Sequence, residues 1–194
     1  MKNIFSIWQG RSSTGPGFEE LVAPHIERLY RLAYRFTGNR HDAEDLVQEL
    51  LVKLYPRVRE LKKIEKLGPW LAKSLYHLFI DQSRRAANSP VSLLEDVNME
   101  MEAAASTSAE PSESLTREQS LTEIEQALFS LSANHRALIA LHDIEGYSLP
   151  ELESILDTPL GTLKSRLHRA RANLRKQLIE KKVKSHSDKR KNHT

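Results

Sequence analysis

The chain has 194 residues, of which 39% are hydrophobic and 28% charged, and this length suits one domain or two small ones. It contains no cysteine, which excludes disulfides, thiolate chemistry and cysteine-based zinc sites. No apolar run is long enough to span a bilayer and no signal-peptide core is present, so we expect a cytoplasmic protein without membrane insertion. Scarce glycines and aromatics beside abundant Leu, Ala, Glu, Lys and Arg favour helices over strands.

The net charge of +3 conceals an uneven distribution of charge along the chain. Residues 87–118 contain seven acidic side chains and one basic side chain, whereas residues 164–182 contain eight basic side chains and one acidic side chain. Such asymmetry indicates different partners for different segments.

The N-terminal half predicts a flexible arm over residues 1–17 and then three helices. The first has an apolar stripe and ends at Gly38, the second is capped by Asp42 and ends near Pro56, and the third has Pro69 in its first turn and ends after Arg85. Their stripes comprise, in turn, Phe18, Leu21, Val22, His25, Ile26, Leu29, Ala33 and Phe36; Ala43, Leu46, Val47, Leu50, Leu51 and Leu54; and Leu71, Leu75, Leu78 and Phe79.

Residues 88–118 have no regular stripe and few large apolar groups, which predicts an acidic, flexible linker. Helical periodicity then resumes in two segments whose apolar positions are Leu121, Ile124, Leu128 and Leu131, and Ala137, Leu138, Leu141 and Ile144. A short helix should follow, with Ser148 and Glu151 as a capping box. After a tight turn at "DTPLG", a longer basic helix begins near Leu160.

A short capped helix, a tight turn and a longer basic helix are typical of a helix-turn-helix motif. Projection at about 100° per residue places Leu160, Leu163, Leu167, Ala170, Leu174 and Leu178 on one side, and Ser165, His168, Arg169, Ala172 and Lys176 opposite them. The outward groups can reach base edges, while Lys164, Arg171, Arg175 and Arg166 on the shoulders suit phosphates. The alternative is a solvated helix whose cations have no nucleic-acid role.

Three sequence segments in order resemble the extracytoplasmic-function (ECF) sigma factors, the smallest of the bacterial sigma-70 class. "DAEDLVQE" from Asp42 to Glu49 resembles the family's polymerase-docking segment, "WLAKSLYHLFIDQSRR" resembles its −10 helix, and "PLGTLKSR" with "RLHRAR" resembles its −35-reading domain. The resemblance covers roughly residues 18–87 and 119–178.

The resemblance implies a docking site for core RNA polymerase on the second helix, formed by Asp42, Asp45, Gln48 and Glu49. The family's partners there are the β′ clamp helices, and the β flap is a further contact. An acidic patch beside an apolar edge suits docking onto a basic helical hairpin, but a solvated helical face with acids favoured by the macrodipole remains the alternative.

The resemblance also assigns promoter DNA to two surfaces. Trp70, Lys73, His77, Arg84 and Arg85 supply the flat, hydrogen-bonding and cationic groups that a separated −10 strand requires. Trp70 could equally belong to the core. The preceding "ELKKIEKLG" departs from the Arg- and Phe-Gly-rich sequence of many members, so it predicts attraction to the DNA backbone and leaves base preference open. The −35 element would contact Thr162, Lys164, Ser165, Arg166, His168, Arg169 and Arg175.

We therefore expect an all-α protein with two small helical domains, at residues 18–87 and 119–180, joined by the linker and followed by a basic tail over 181–194. The resemblance implies a non-enzymatic sigma factor without cofactor or metal, controlled by an anti-sigma factor. In this family the linker enters the polymerase cleft, although an inert tether would have the same composition. The alternatives are a stand-alone helix-turn-helix regulator and a helical enzyme, for which no metal or phosphate-loop motif is present.

Overall fold

The computed structural model describes residues 17–87 and 123–191, with side chains through residue 180. The N-terminal part contains α1 (Phe18–Thr37), α2 (Arg40–Leu54), a 3₁₀ turn (Tyr55–Arg57), α3 (Val58–Leu61) and α4 (Leu67–Ala87). The C-terminal part contains α5 (123–129), α6 (Ala133–Ile139), a π turn (Ala140–Ile144), α7 (Leu149–Leu156) and α8 (Leu160–Lys191). The described ranges contain no strand, and the all-α expectation is confirmed.

The apolar stripes of the N-terminal helices form the core of the first unit. All six stripe positions of α2 are buried, as are the four predicted positions of α4. In α1, Leu21 and Ile26 are half-buried at the edge of the core, and Leu32, which the predicted stripe omits, is 2% exposed. The segment before α4 also contains a short helix, α3, whose Leu61 is buried. The spacing therefore predicted the long helices correctly and missed the short one.

The cap of α2 differs from the prediction. Asn39, not Asp42, precedes the helix in extended conformation, and its side-chain oxygen accepts a hydrogen bond from the Asp42 amide at 2.8 Å. Asp42 lies in the first turn, where its negative charge favours the helix dipole. The Asp42 assignment as cap was wrong because "GNRHD" contains two capping residues, and the tight turn at Gly38 brings Asn39 to the cap position.

Gly38 ends α1 at φ +89°, and its amide donates to the carbonyl of Tyr34 at 2.8 Å. A Cβ added there would lie 3.0 Å from the Phe129 ring of α5. Left-handed backbone costs a non-glycine residue roughly 1–2 kcal/mol. Gly38 therefore lets α1 stop and α5 approach at the same point.

We expect Gly38→Ala to lower the free energy of unfolding by about 1–2 kcal/mol, because the Cβ adds backbone strain and crowds Phe129. Urea denaturation followed by circular dichroism measures this loss. Gly161→Ala is the matched control, since a Cβ there meets no atom within 4 Å and Ala favours helix. Equal stability of the two variants would contradict the expectation.

The C-terminal helices form a second unit with the predicted helix-turn-helix. Leu128, Leu131, Ala137, Leu138 and Leu141 are buried, but Ile124 and Ile144 are 47% and 44% exposed, so these two stripe assignments were wrong. The π turn contributes to the exposure of Ile144, since its wider winding shifts the register of the stripe before Gly146. Leu121, the N-terminal arm before Gly17 and the acidic linker lie outside the described residues.

The two units pack against each other, and one apolar cluster contains buried residues of both. Leu128, Leu131, Ile139 and Ala170 form a separate cluster within the C-terminal unit. Arg136 of α6 lies at this junction, with its guanidinium 6.0 Å from the ring centroid of Phe79 in α4 and 5.9 Å from that of Phe129. Its Nε is buried and has no hydrogen-bond acceptor among the described residues. Burial lowers the pKa of Arg136. The junction therefore contains a partly buried cation close to two aromatic rings.

Candidate nucleic-acid interface

The capping box and turn of the helix-turn-helix have the predicted residues. The Glu151 carboxylate accepts hydrogen bonds from the amide and hydroxyl of Ser148 at 2.8 and 2.7 Å, which lowers the pKa of Glu151. Asp157 follows α7 in left-handed conformation at φ +47°, and Glu153 accepts from the first amide of α8 at Leu160. The turn is therefore fixed by hydrogen bonds at both ends of α7.

Helix α8 presents the predicted faces. Leu163, Leu167 and Ala170 are buried, and Leu160, Leu174 and Leu178 are half-buried, whereas the outward residues Ser165, His168, Arg169, Ala172 and Lys176 are exposed. The helix continues to Lys191, so part of the basic tail extends the same helix. The exposed face can therefore enter a major groove without disturbing the apolar stripe.

A groove of about 490 Å³ lies beside this face, between α8 and the segment that precedes α7. Lys164, His168 and Arg175 line it together with His142 and Arg171. The Asp143 carboxylate accepts from the Arg171 Nε at 3.0 Å, and this contact holds the pKa of Asp143 below its usual range. The predicted cations on this shoulder thus converge, and Arg171 is held by an acid that helical projection could not identify.

The other predicted −35 residues do not line this groove. Arg169 lies along Ser165, whose hydroxyl donates to the Thr162 carbonyl at 2.9 Å. Arg166 acts electrostatically on Tyr76 of α4, together with Arg84; burial is nevertheless the larger influence and raises the pKa of Tyr76. The N-terminal half of α8 therefore lies near the predicted −10 helix.

The predicted −10 residues are distributed along α4. Lys73 and His77 both contact Asp157 of the helix-turn-helix turn, with Lys73 Nζ 2.6 Å from one carboxylate oxygen and His77 Nε2 3.3 Å from the other. Trp70 is half-buried against the core, with the Arg57 guanidinium 5.8 Å from its ring centroid. Arg84 and Arg85 are exposed in the last turn. The structure thus groups two of these residues on Asp157, a contact that no local sequence pattern indicates.

The predicted polymerase-docking residues share one side of α2. Asp42 and Asp45 are exposed, and Gln48 and Glu49 are half-buried. Asp45 pairs with His41, while Glu49 pairs with Lys53 at 2.7 Å and accepts from Gln82 of α4 at 2.6 Å. The Lys53 contact is the main cause of the lowered pKa of Glu49. Asp42 and Asp45 are therefore the exposed acids of this set, and Glu49 also ties α2 to α4.

The described residues contain no cluster of His, Asp and Glu suited to a metal ion. Nor does any described helix have the length and hydropathy needed to cross a membrane.

Two family models match the two helical units. The model described as Sigma-70 region 2 matches residues 21–89, and the model described as Sigma-70, region 4 matches residues 121–174. These ranges include the predicted docking residues of α2, the predicted −10 residues of α4 and the helix-turn-helix. The order of the two matches agrees with the order of the resembling segments.

Similar proteins include several named as ECF RNA polymerase sigma factors. The chain is 30% identical over 177 residues to the ECF RNA polymerase sigma factor SigW of Bacillus subtilis, covering 89% of this chain and 94% of that protein. It is 35% identical over 171 residues to SigE of Mycolicibacterium smegmatis, covering 88% of this chain but only 65% of the relative's length. The agreement therefore extends over most of this chain.

Two solved structures share the fold. A sigma factor RpoE from Bartonella quintana, in complex with the anti-sigma factor NepR, matches with a TM-score of 0.63 at 28% identity, covering 84% of this chain and 96% of that chain. CnrH, solved with the cytosolic domain of CnrY, matches with a TM-score of 0.56 at 22% identity, covering 92% and 97%. On these matches together, the chain belongs to the ECF subfamily of sigma-70 RNA polymerase sigma factors.

Proposed function

We propose that this protein is an alternative sigma factor that binds core RNA polymerase, directs it to specific promoters and promotes transcription initiation. The exposed, basic face of α8, backed by a buried leucine stripe and preceded by a capped helix and tight turn, carries the proposal. The −35 contacts would come from Thr162, Lys164, Ser165, Arg166, His168, Arg169 and Arg175. Transcription chemistry belongs to the polymerase, so this chain needs no catalytic group.

The proposed domain boundaries follow the helical units. Residues 18–87 would bind core polymerase and the −10 element, and residues 119–180 would bind the −35 element, with the acidic linker between them. The family matches support these two ranges. Helix α8 crosses the proposed boundary at residue 180 without interruption.

The proposed partners are core RNA polymerase, through its β′ clamp helices and β flap, promoter DNA at the −35 and −10 elements, and an anti-sigma factor. Support for the last comes from the complex of RpoE with the anti-sigma factor NepR. The docking site on polymerase would be the acidic side of α2. The −10 strand would contact Trp70, Lys73, His77, Arg84 and Arg85 of α4. A cytoplasmic location follows from this proposed role.

Charge reversal at Asp45 tests the polymerase contact. We expect Asp45→Arg to weaken assembly with core RNA polymerase by more than about tenfold, because like charges placed opposite each other cost several kcal/mol. Its carboxylate is 61% exposed, so folding should change by less than about 0.5 kcal/mol. Affinity for purified core polymerase and a thermal melt measure the two effects.

The matched control is Glu27→Arg, which makes the same charge change at an exposed site on α1, outside the proposed docking face. Gln48→Ala should weaken assembly less than Asp45→Arg, since it removes hydrogen bonds without adding repulsion. Assembly by Asp45→Arg equal to that of the control would contradict the docking assignment. Promoter-specific binding in the absence of polymerase would instead favour a stand-alone helix-turn-helix regulator.

A further inference from the structure

Glu145, just after the π turn, connects the two helical units through α1. Its carboxylate accepts from Arg28 Nε at 2.8 Å and also pairs with Arg35, while its backbone carbonyl accepts from Arg28 Nη2 at 3.3 Å. The Glu145 side chain is only 8% exposed. Arg28 also lies 4.8 Å from the ring centroid of Tyr147. One acid of the C-terminal unit is thus enclosed by two cations of the N-terminal unit.

Asp157 makes the second charged connection, at the opposite end of α7. Besides binding the Asp157 carboxylate, Lys73 donates to the Ser154 carbonyl at 2.8 Å. Free carbonyls at a helix C-terminus carry partial negative charge. Because Asp157 is in left-handed conformation, its carboxylate and these carbonyls together face the α4 cations. Oxygen atoms of the C-terminal unit therefore occupy the hydrogen-bonding positions that strand phosphates would use on Lys73 and His77.

The packed arrangement is incompatible with binding both promoter elements at once. Elements about 25 base pairs apart are separated by roughly 85 Å at about 3.4 Å per pair. A compact unit of about 70 residues has a radius of gyration near 11 Å, so two touching units place their centres only about 30 Å apart. Residues 88–122, if fully extended, could reach about 120 Å. The units must therefore separate, and the chain between them is long enough to permit it.

We propose that Glu145 and Asp157 form a latch that holds the free protein closed on itself and masks its −10 surface. In this latch Glu145 forms ion pairs with Arg28 and Arg35, and Asp157 forms them with Lys73 and His77. Opening exposes the cations of α4 for single-stranded DNA. The masking role rests on the proposed function of α4, whereas closure itself does not.

The test removes both acids without changing shape, in the variant Glu145→Gln with Asp157→Asn. Asn tolerates left-handed backbone, so the second change should preserve the turn. The matched control is Glu27→Gln with Glu44→Gln, which also removes two carboxylates paired with arginine, each within a single helix. Net charge changes equally in both, so a general increase in attraction to DNA is cancelled.

Closure is measured by energy transfer between two dyes on the full-length protein. The chain has no native cysteine, and Val52 and Ile179 are 63% and 56% exposed in the two units, so both can be changed to cysteine and labelled. Masking is measured on the unlabelled proteins, as the affinity for a fluorescent dT20 strand followed by anisotropy. Neither measurement requires a known promoter sequence.

We expect lower transfer efficiency and at least about fivefold tighter dT20 binding for the latch variant than for the control, since apparent Kd rises as the competent fraction falls. Transfer equal to the control would overturn the latch. Lower transfer without tighter dT20 binding would overturn the masking role. A wrong proposed function gives a different result from a wrong latch. In that case the wild-type protein itself would not bind core RNA polymerase.

Discussion

Replacing Leu167 by alanine is expected to lower the free energy of unfolding by about 2–5 kcal/mol, the largest stability effect that we anticipate. Leu167 is 4% exposed and lies in the apolar stripe that seats α8 on the rest of the C-terminal unit. Deleting its three outer carbon atoms removes buried apolar surface and leaves a cavity that rigid helices fill only in part. Since the position of the outward face of α8 depends on this packing, promoter binding should weaken for every −35 sequence alike.

Urea denaturation monitored by circular dichroism measures the Leu167→Ala effect. Ile179→Ala is the control on the same helix, since Ile179 is 56% exposed and its truncation should change stability by less than about 0.5 kcal/mol. A loss below about 1 kcal/mol for Leu167→Ala would mean that α8 is not seated by this stripe.

Substitution of the outward residues should alter −35 preference rather than stability. We expect Arg169→Ala, and to a smaller extent Ser165→Ala and His168→Ala, to change discrimination at particular base pairs by about 1–3 kcal/mol. All three side chains are exposed on the face opposite the leucine stripe. Arg175→Ala should instead weaken binding uniformly and reduce the salt slope by about one, as expected for a lost phosphate contact.

The measurement is a series of −35 substitutions tested against each variant holoenzyme at two salt concentrations. A sequence-preference profile that is unchanged in all three outward variants would exclude this face as the reader of the −35 element. A changed sequence-preference profile for Arg175→Ala would mean that Arg175 contacts base edges and not a phosphate.

Periodicity predicted the helices well because each long helix buries one continuous stripe. The α2 positions illustrate this: all six predicted core residues, from Ala43 to Leu54, are buried. Capping was less predictable, since Asn39 and Asp42 are both good caps and only the geometry after Gly38 distinguishes them. The exposure of Ile144 was not predictable either, because a π turn carries no strong signal in sequence.

The candidate site was predictable within single helices and not between them. The outward set on α8 follows from a 3.6-residue period, and the structure exposes it as expected. Contacts such as Lys73 with Asp157, or Arg28 with Glu145, join residues that are far apart in sequence. Charged residues at these positions resemble any solvated charge until the fold brings them together, so no local pattern distinguishes them.

The guanidinium of Arg136 makes two opposing contributions to the packing of the two units. Packing of the units brings the Phe79 ring of α4 to this cation, and its Nε has no acceptor among the described residues. Separation of the units would expose the guanidinium to water on its Phe79 side, because Phe79 belongs to the N-terminal unit and Arg136 to the C-terminal unit. The unsatisfied Nε therefore offsets part of the stabilisation that the contact between Arg136 and Phe79 gives to the packed arrangement.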